Sequence, residues 1–278
     1  MAIGFSDFFG FEISLLAKSL WFFDKRPELS KNQLSNLLGV GPPKAKSQKR
    51  WLEMLGLKDK NKGRLTFLGN LLLEYDSYFT NNFTQWIFYY KLASNPEAEV
   101  WYLLSNEFLH GQTGFSFDTA INFLVSKGLR SKNDKHLRAD VSIFLRSFIS
   151  EDALKKTEYL KTEGQPKKKI SKNKFIKNLP LDISPYLIAY IIFDQREQKF
   201  PNSATITIEE LLTLDGNVGK VLSLNRKKLE EILKLLSGTQ YNKLVDLSTR
   251  AGLDQVGFKF RGSPLKILKM YYLKEKNV

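Results

Sequence analysis

The stretch from Gly39 to Gly69, GVGPPKAKSQKRWLEMLGLKDKNKGRLTFLG, sets Lys44, Lys46, Lys49, Arg50, Lys58, Lys60, Lys62 and Arg64 against only Glu53 and Asp59. Lysine and arginine neutralise phosphates, and the short polar groups between them suit base edges. The chemistry these residues support is the binding of a polyanion. The whole chain leans the same way, with a formal net charge of +14 over 278 residues. A balance this basic favours nucleic acid or another acidic partner. The alternative is a lysine-rich but merely solvated surface, so the placement of the charges decides.

Bond-making chemistry has fewer candidates. Cysteine is absent, which excludes disulfides, zinc fingers, iron–sulfur clusters and thiol nucleophiles. The two histidines, His110 and His136, lie in separate elements, so a histidine-based metal site is not expected. No phosphate-cradling GxxxxGK[ST] or GxGxxG run occurs. Asp182, followed by Glu197–Gln198–Lys199, echoes the carboxylate–carboxylate–lysine arrangement of magnesium nucleases. The intervening residues read as one helix, which puts the two carboxylates roughly 22 Å apart at 1.5 Å per residue. Glu12, Glu107, Asp118 and Asp140 are the other carboxylates from which tertiary structure could build a site.

The elements around the basic stretch read as helix, helix, tight turn, helix, hairpin. FEISLLAKSLWFF places Phe11, Leu15, Leu16, Leu20 and Trp21 near one another on a helix that Pro27 ends. Ser30 is an N-cap for SKNQLSNLL. Gly39 and Gly41 break that helix, and Pro42 and Pro43 fit the first positions of the next. That helix runs to Leu55, with Gly56 as its terminating residue. A turn at Asn61–Lys62–Gly63 lies between short extended pieces, and a helix over GNLLLEYD follows. In the third helix Ala45, Gln48, Trp51, Leu52 and Leu55 gather on one side. Lys46, Lys49, Arg50 and Glu53 gather on the other, with Ser47 at its edge. This is the grammar of a winged helix-turn-helix, in which the helix after the turn enters the major groove and the hairpin lies on the backbone.

The expected fold is mainly α. It comprises an N-terminal winged helix-turn-helix over 1–80, a helical region over 81–152 packing on it, a basic linker over 153–178, and a C-terminal winged-helix-like domain over 179–278. In the helical region Trp86, Phe88, Tyr89, Tyr90, Trp101 and Tyr102 recur at helical spacing, which favours a packed core over base-stacking platforms. Nine lysines face two glutamates between Lys155 and Lys177, with Gly164 and Pro166 inside. That composition reads as an exposed connector, either a solvated linker or a nucleic-acid clamp. In the last domain Ser184 and Pro185 open a helix, TITIEELL reads as a helix, and LVDLSTRAGLDQVGFKF reads as a hairpin around Gly252. Arg226, Lys227 and Lys228 stand at the start of its presumptive reading helix.

The order Val40–Gly41, Lys46–Ser47, Trp51–Leu52, Gly56–Leu57, LTFLG (65–69), Trp86 and VWYLLSNEF (100–108) resembles the SspB-like family, an uncharacterised bacterial domain family of anti-phage operons. The resemblance covers roughly residues 5–130. It implies a DNA-binding component of a single-stranded DNA phosphorothioation system, extending to a DNA-nicking role. The implied partners are DNA and the sulfur-transfer and ATPase proteins of the same operon. The chain departs from the family in FSDFFGFE (5–12), which lacks a histidine that members carry, and in Pro42 and Pro43. The expected DNA contacts are Lys44, Lys46, Ser47, Lys49, Arg50, Lys60, Lys62, Arg64, Arg226, Lys227 and Lys228. No firmly bound cofactor is expected; nicking would require Mg²⁺ or Mn²⁺ held by carboxylates. A non-enzymatic transcriptional regulator and an assembly scaffold remain open beside this reading. Without cysteine, an apolar span or a basic leader, the chain is expected in the cytoplasm.

Overall fold

In a computed structural model, which describes residues 4–179, 182–250 and 253–276, local capping chemistry sets the first helices. Helix α1 (Ile13–Lys25) is followed by α2 (Lys31–Leu38), where Ser30 and Gln33 form a reciprocal capping box and Gly39 ends the helix at φ 68°. Helix α3 (Pro42–Met54) starts on its two prolines, which need no amide hydrogen there. Lys58 and Leu65 then form one antiparallel bridge, a hairpin shorter than the two extended pieces expected. Thr66 caps α4 (Phe67–Tyr75) by accepting from the Gly69 amide.

The chain divides into two compact units, Met1–Asn178 and Leu179–Val278. It is mainly α-helical, with two small antiparallel sheets of three strands each among the described residues. In the first unit α5 (Asn82–Ala93) and α6 (Glu99–Leu103) carry the aromatic cluster, and a π-helical turn (Leu104–Phe108) extends α6. Trp86, Phe88, Tyr89, Tyr90 and Trp101 are all buried, so this cluster is core. The rings meet edge to face, as in Trp101–Phe144 (4.9 Å) and Tyr89–Phe148 (5.4 Å), an arrangement that adds to plain apolar burial.

The central region is not purely helical. Strand β1 (Gly114–Ser116) leads into α7 (Phe117–Ser126) and α8 (Lys135–Ser147), and β2 (Leu160–Thr162) and β3 (Lys174–Lys177) complete a sheet of order β1-β3-β2. The segment expected as an exposed linker is thus built into this unit. Its lysines point outward, except Lys177, whose Nζ donates to the Leu109 carbonyl; Leu160, Ile170 and Phe175 point inward, and Phe175 stacks on Phe115 of β1 at 5.7 Å. Strand alternation inside a lysine-rich composition is what hid it.

The second unit repeats that plan. Helix α9 (Pro185–Lys199) starts on Pro185 as expected. Strand β4 (Thr205–Thr207) precedes α10 (Ile208–Thr213), where the sequence reading had helix throughout. Then come α11 (Val218–Val221), α12 (Arg226–Ser237), β5 (Val245–Arg250), β6 (Leu253–Phe258) and α13 (Pro264–Lys276). The sheet order is β4-β6-β5, and the expected turn at Gly252 lies outside the described residues. No described helix is long and apolar enough to cross a membrane.

Gly69 sits where α4 meets the chain after α3. A Cβ at this position would overlap the Leu57 carbonyl oxygen, which already accepts from the Thr66 amide. Backbone on both sides leaves no flexible atom to yield. Gly69→Ala is therefore expected to destabilise the protein by about 1–3 kcal/mol, as overpacking does, read as a lower midpoint in urea.

Candidate nucleic-acid interface

Helix α3 splits into faces as its period dictates. Ala45, Gln48, Trp51, Leu52 and Leu55 are fully buried, while Lys46 and Lys49 are exposed and Arg50 is half-buried. Ser47 is not at the edge of the outward face. It is fully buried and its hydroxyl has no hydrogen-bond partner among the described residues. It is therefore removed from the expected DNA contacts, since no ligand reaches it.

Each cation of α3 already faces a carboxylate. Lys44 pairs with Glu12 (2.9 Å), Lys46 with Asp7 (3.2 Å), Lys49 with Glu53 (3.9 Å) and Arg50 with Asp7 (2.7 Å). Asp7 and Glu12 belong to the segment before α1, which lies along α3 as a strap. Phe5 and Phe11 set their edges on Trp51 (4.7 and 5.2 Å), Trp51 Nε1 donates to the Phe9 carbonyl (3.3 Å), and Arg50 Nη1 donates to that of Phe5 (3.1 Å). The strap's far side rests on α8. The Gly4 amide donates to Asp140 Oδ2 (2.6 Å), and Phe8 packs on the His136 ring (4.6 Å). Asp7 and Phe8 adopt left-handed backbone, at φ 48° and 68°, a conformation costly for residues with a side chain.

The turn after α3 is held by Asp59, whose Oδ1 accepts from the amides of Asn61 and Lys62 (both 2.8 Å). Those amides hold the Asp59 carboxyl below the usual carboxylate range. Gly63 takes φ 68°. Lys58 is buried over the Phe23 ring (4.9 Å), and that burial lowers its pKa. Lys60 pairs with Glu97, whereas Lys62 and Arg64 are exposed and form no ion pair among the described residues. Arg50 and Lys60 line one shallow cleft of 440 Å³, together with Asp7, Glu53 and Glu97. One cation of α3 and one of the turn thus share this cleft, where carboxylates partly balance their charge.

The second unit's cations differ among themselves. Arg226, at the first turn of α12, is held by Asp254 (2.9 Å), Glu209 (3.2 Å) and Glu230 (3.4 Å). Three carboxylates make it a structural ion cluster. Lys228 reaches Glu231 at 4.0 Å, and Lys227 is exposed. The carboxylates weighed as metal ligands do not converge. Asp182 and Glu197 are separated by α9, Glu12 pairs with Lys44, Glu107 with Lys127 and Asp118 with Arg138, and Asp140 receives Gly4. Among the described residues no group of three His, Cys, Asp or Glu side chains could hold a metal ion. The anionic partners Asp7 and Glu12 were not paired with α3 by the sequence reading, because only the docked strap brings them there.

Three comparisons bear on identity. A family model described as "Protein of unknown function (DUF4007)" matches residues 9–272. Two solved structures, "Magnesium ion-bound SspB crystal structure" and "SspB crystal structure", superpose with TM-scores of 0.79 and 0.77, each at 16% identity over 99% of this chain and 87% of the other. At that identity the likeness shows a shared fold, and it agrees with the SspB-like resemblance read from sequence. No protein of curated function matches the chain.

Two outcomes are expected from this geometry. Burial raises the Asp140 pKa from 3.8 to about 6. Between those values the folded protein holds a proton that the unfolded chain has lost, so stability falls as the pH rises through that window. Asp140→Asn keeps an oxygen for the Gly4 amide and should abolish this dependence, with a gain of up to about 3 kcal/mol at pH 8. Urea denaturation of both proteins at pH 5 and pH 8 measures it. Ser47→Ala removes a buried hydroxyl with no hydrogen-bond partner among the described residues, so it should leave stability equal or higher, read by the same urea titration.

Proposed function

Because the chain belongs to the DUF4007 family of proteins of unknown function, we propose, from its fold and charge, that it is the DNA-binding component of a bacterial phosphorothioation-type modification system. The observation that carries the reading is that Arg50 of α3 and Lys60 of the following turn line one cleft, with Lys46 and Lys49 exposed on α3 and Lys62 and Arg64 exposed on the turn. Helix, helix, turn, helix and short hairpin is the order of a winged helix-turn-helix. The two three-stranded sheets support it, because a strand, then helices (two in the first unit, three in the second), then two strands recur with the same pairing order in each unit. We read both as further winged-helix modules.

Asp7 sits where a phosphate would sit, bridging Lys46 and Arg50. Exposed ion pairs of this kind are worth about 0–1 kcal/mol and are screened by salt, so a duplex bearing a row of phosphates can displace them. In this role the protein holds DNA for the sulfur-transfer and ATPase proteins of its operon. A nicking role would need carboxylates gathered to hold a metal, and the candidates named from sequence lie apart.

The test is binding of the full chain to labelled duplex DNA across a salt series. Tight, sequence-tolerant binding with a steep salt slope is expected. Lys46→Gln with Arg50→Gln should make the log–log slope shallower by about 1–2, and Asp7→Asn should raise affinity. A strong preference for one palindromic site would favour the regulator reading instead. No binding at low salt would sink the proposal.

A further inference from the structure

The lysines between β2 and β3 differ from those of α3 in one respect. Lys167, Lys168, Lys169 and Lys172 are exposed, and none of them forms an ion pair among the described residues. Yet their backbone is held firmly. Ile170 is buried, at 6% exposure, and pins the loop to the core. Asn173, 4% exposed, accepts from the Lys167 amide (2.7 Å) and donates to the carbonyls of Lys167 (3.1 Å), Ile170 (3.3 Å) and Lys169 (3.4 Å). A loop whose backbone is fixed from inside, with four cations held outward, loses little entropy when those cations meet a ligand.

Helix α8 continues this surface. Leu137, Val141, Phe144 and Leu145 are buried, which leaves Lys135, Arg138, Ala139, Ser142 and Arg146 on the other side at helical spacing. Arg146 joins the helix to the loop: Nε donates to Ser142 Oγ and Nη2 to the Lys168 carbonyl (both 3.3 Å). The side chains between the cations are small, so a groove floor can approach closely. Nearby acids are few or engaged. Asp118 lies 3.9 Å from Arg138, Asp134 caps α8, Asp140 faces the strap, and Glu163 lies 3.9 Å from Lys174.

From Lys135 to Arg146 the helix rises about 16 Å at 1.5 Å per residue, and the loop extends the charge past its C-terminal end. The major groove of duplex DNA is about 12 Å wide with phosphates on both rims, so a strip of this length meets both backbones. Helix α8 is also the second helix after β1, the place of a reading helix in this plan.

We propose that the outward face of α8 and the 163–173 hairpin form a second duplex-DNA contact, with α8 in the major groove and Lys167, Lys168, Lys169 and Lys172 on the phosphates. It rests on the DNA-binding reading above and adds a surface separate from α3. Because Lys167, Lys168, Lys169 and Lys172 form no ion pair with a described carboxylate, they contribute more of the counterion release than the cations of α3 do.

The test uses the full chain carrying Lys167→Gln, Lys168→Gln and Lys169→Gln together, with a thermal melt to show that it folds. On duplex DNA the salt slope should become shallower by about 2–3, so the affinity lost between 50 and 200 mM salt shrinks on the order of 10- to 40-fold. Ala139→Glu, which sets a carboxylate in the groove-facing strip, should weaken duplex binding at least tenfold with little change in melting. If the triple variant matches the parent in affinity and slope while the Lys46/Arg50 variant is weakened, the proposal is overturned and the DNA-binding reading stands. A triple variant that loses only single-stranded DNA, or only polyglutamate as a stand-in for an acidic protein, overturns it equally. If the parent itself ignores duplex DNA, both readings fall together.

Discussion

Trp51 fixes the geometry on which the first unit's surface depends. Its indole is fully buried, its N–H donates to the Phe9 carbonyl, and the edges of Phe5, Phe11 and Trp101 close around it. One side chain therefore ties the strap, α3 and the central aromatic core together. A helix so anchored cannot rotate without breaking a hydrogen bond and three ring contacts in a close-packed interior. Lys46, Lys49 and Arg50 stand outward as a consequence of what Trp51 holds inward.

The same anchoring brings Asp7 and Glu12 onto the cations it exposes. The first unit thus carries two kinds of positive surface, one with internal counter-charges on α3 and one, at Lys167, Lys168, Lys169 and Lys172, whose lysines pair with no described carboxylate. Composition cannot distinguish the two. Net charge sets long-range attraction, whereas local affinity for an anion depends on which cations are free of carboxylates and held on rigid backbone.

Much of the fold was legible because it is local. Ser30, Gly39, Pro42, Pro43 and Pro185 punctuate the helices where their backbone chemistry requires, and the period of α3 separated Trp51 from Arg50 correctly. What sequence hid was short or non-local. Strand β1 pairs with β3 across some sixty intervening residues, and three- or four-residue strands carry too little alternation to register against nine lysines. Thr205–Thr207 was absorbed into the helix that follows it, although two β-branched threonines flanking an isoleucine were the signal. Ser47 lies between outward Lys46 and inward Gln48, where a step of 100° leaves the side undecided until neighbours pack. The Lys44–Glu12 pair joins residues 32 positions apart and exists only once the strap docks.

The strap's own energetics are mixed, and that bears on how the α3 surface works. Favouring it are the Phe5 and Phe11 contacts with Trp51, the ion pairs of Asp7, and the Gly4–Asp140 hydrogen bond. Against it stand left-handed backbone at Asp7 and Phe8, the buried carboxyl of Asp140, and the hydroxyls of Ser6 and Ser47, buried without a hydrogen-bond partner among the described residues. An unpaired buried polar group costs about 1–3 kcal/mol, as much as a surface ion pair returns or more. The left-handed backbone, the Ser6 hydroxyl and, through Gly4, the Asp140 carboxyl all bear on residues 4–8, whereas Phe11 carries none of these costs. The part of the strap that masks Lys46 and Arg50 is therefore its least stable part, and a polyanion competing for those cations meets its weakest resistance there.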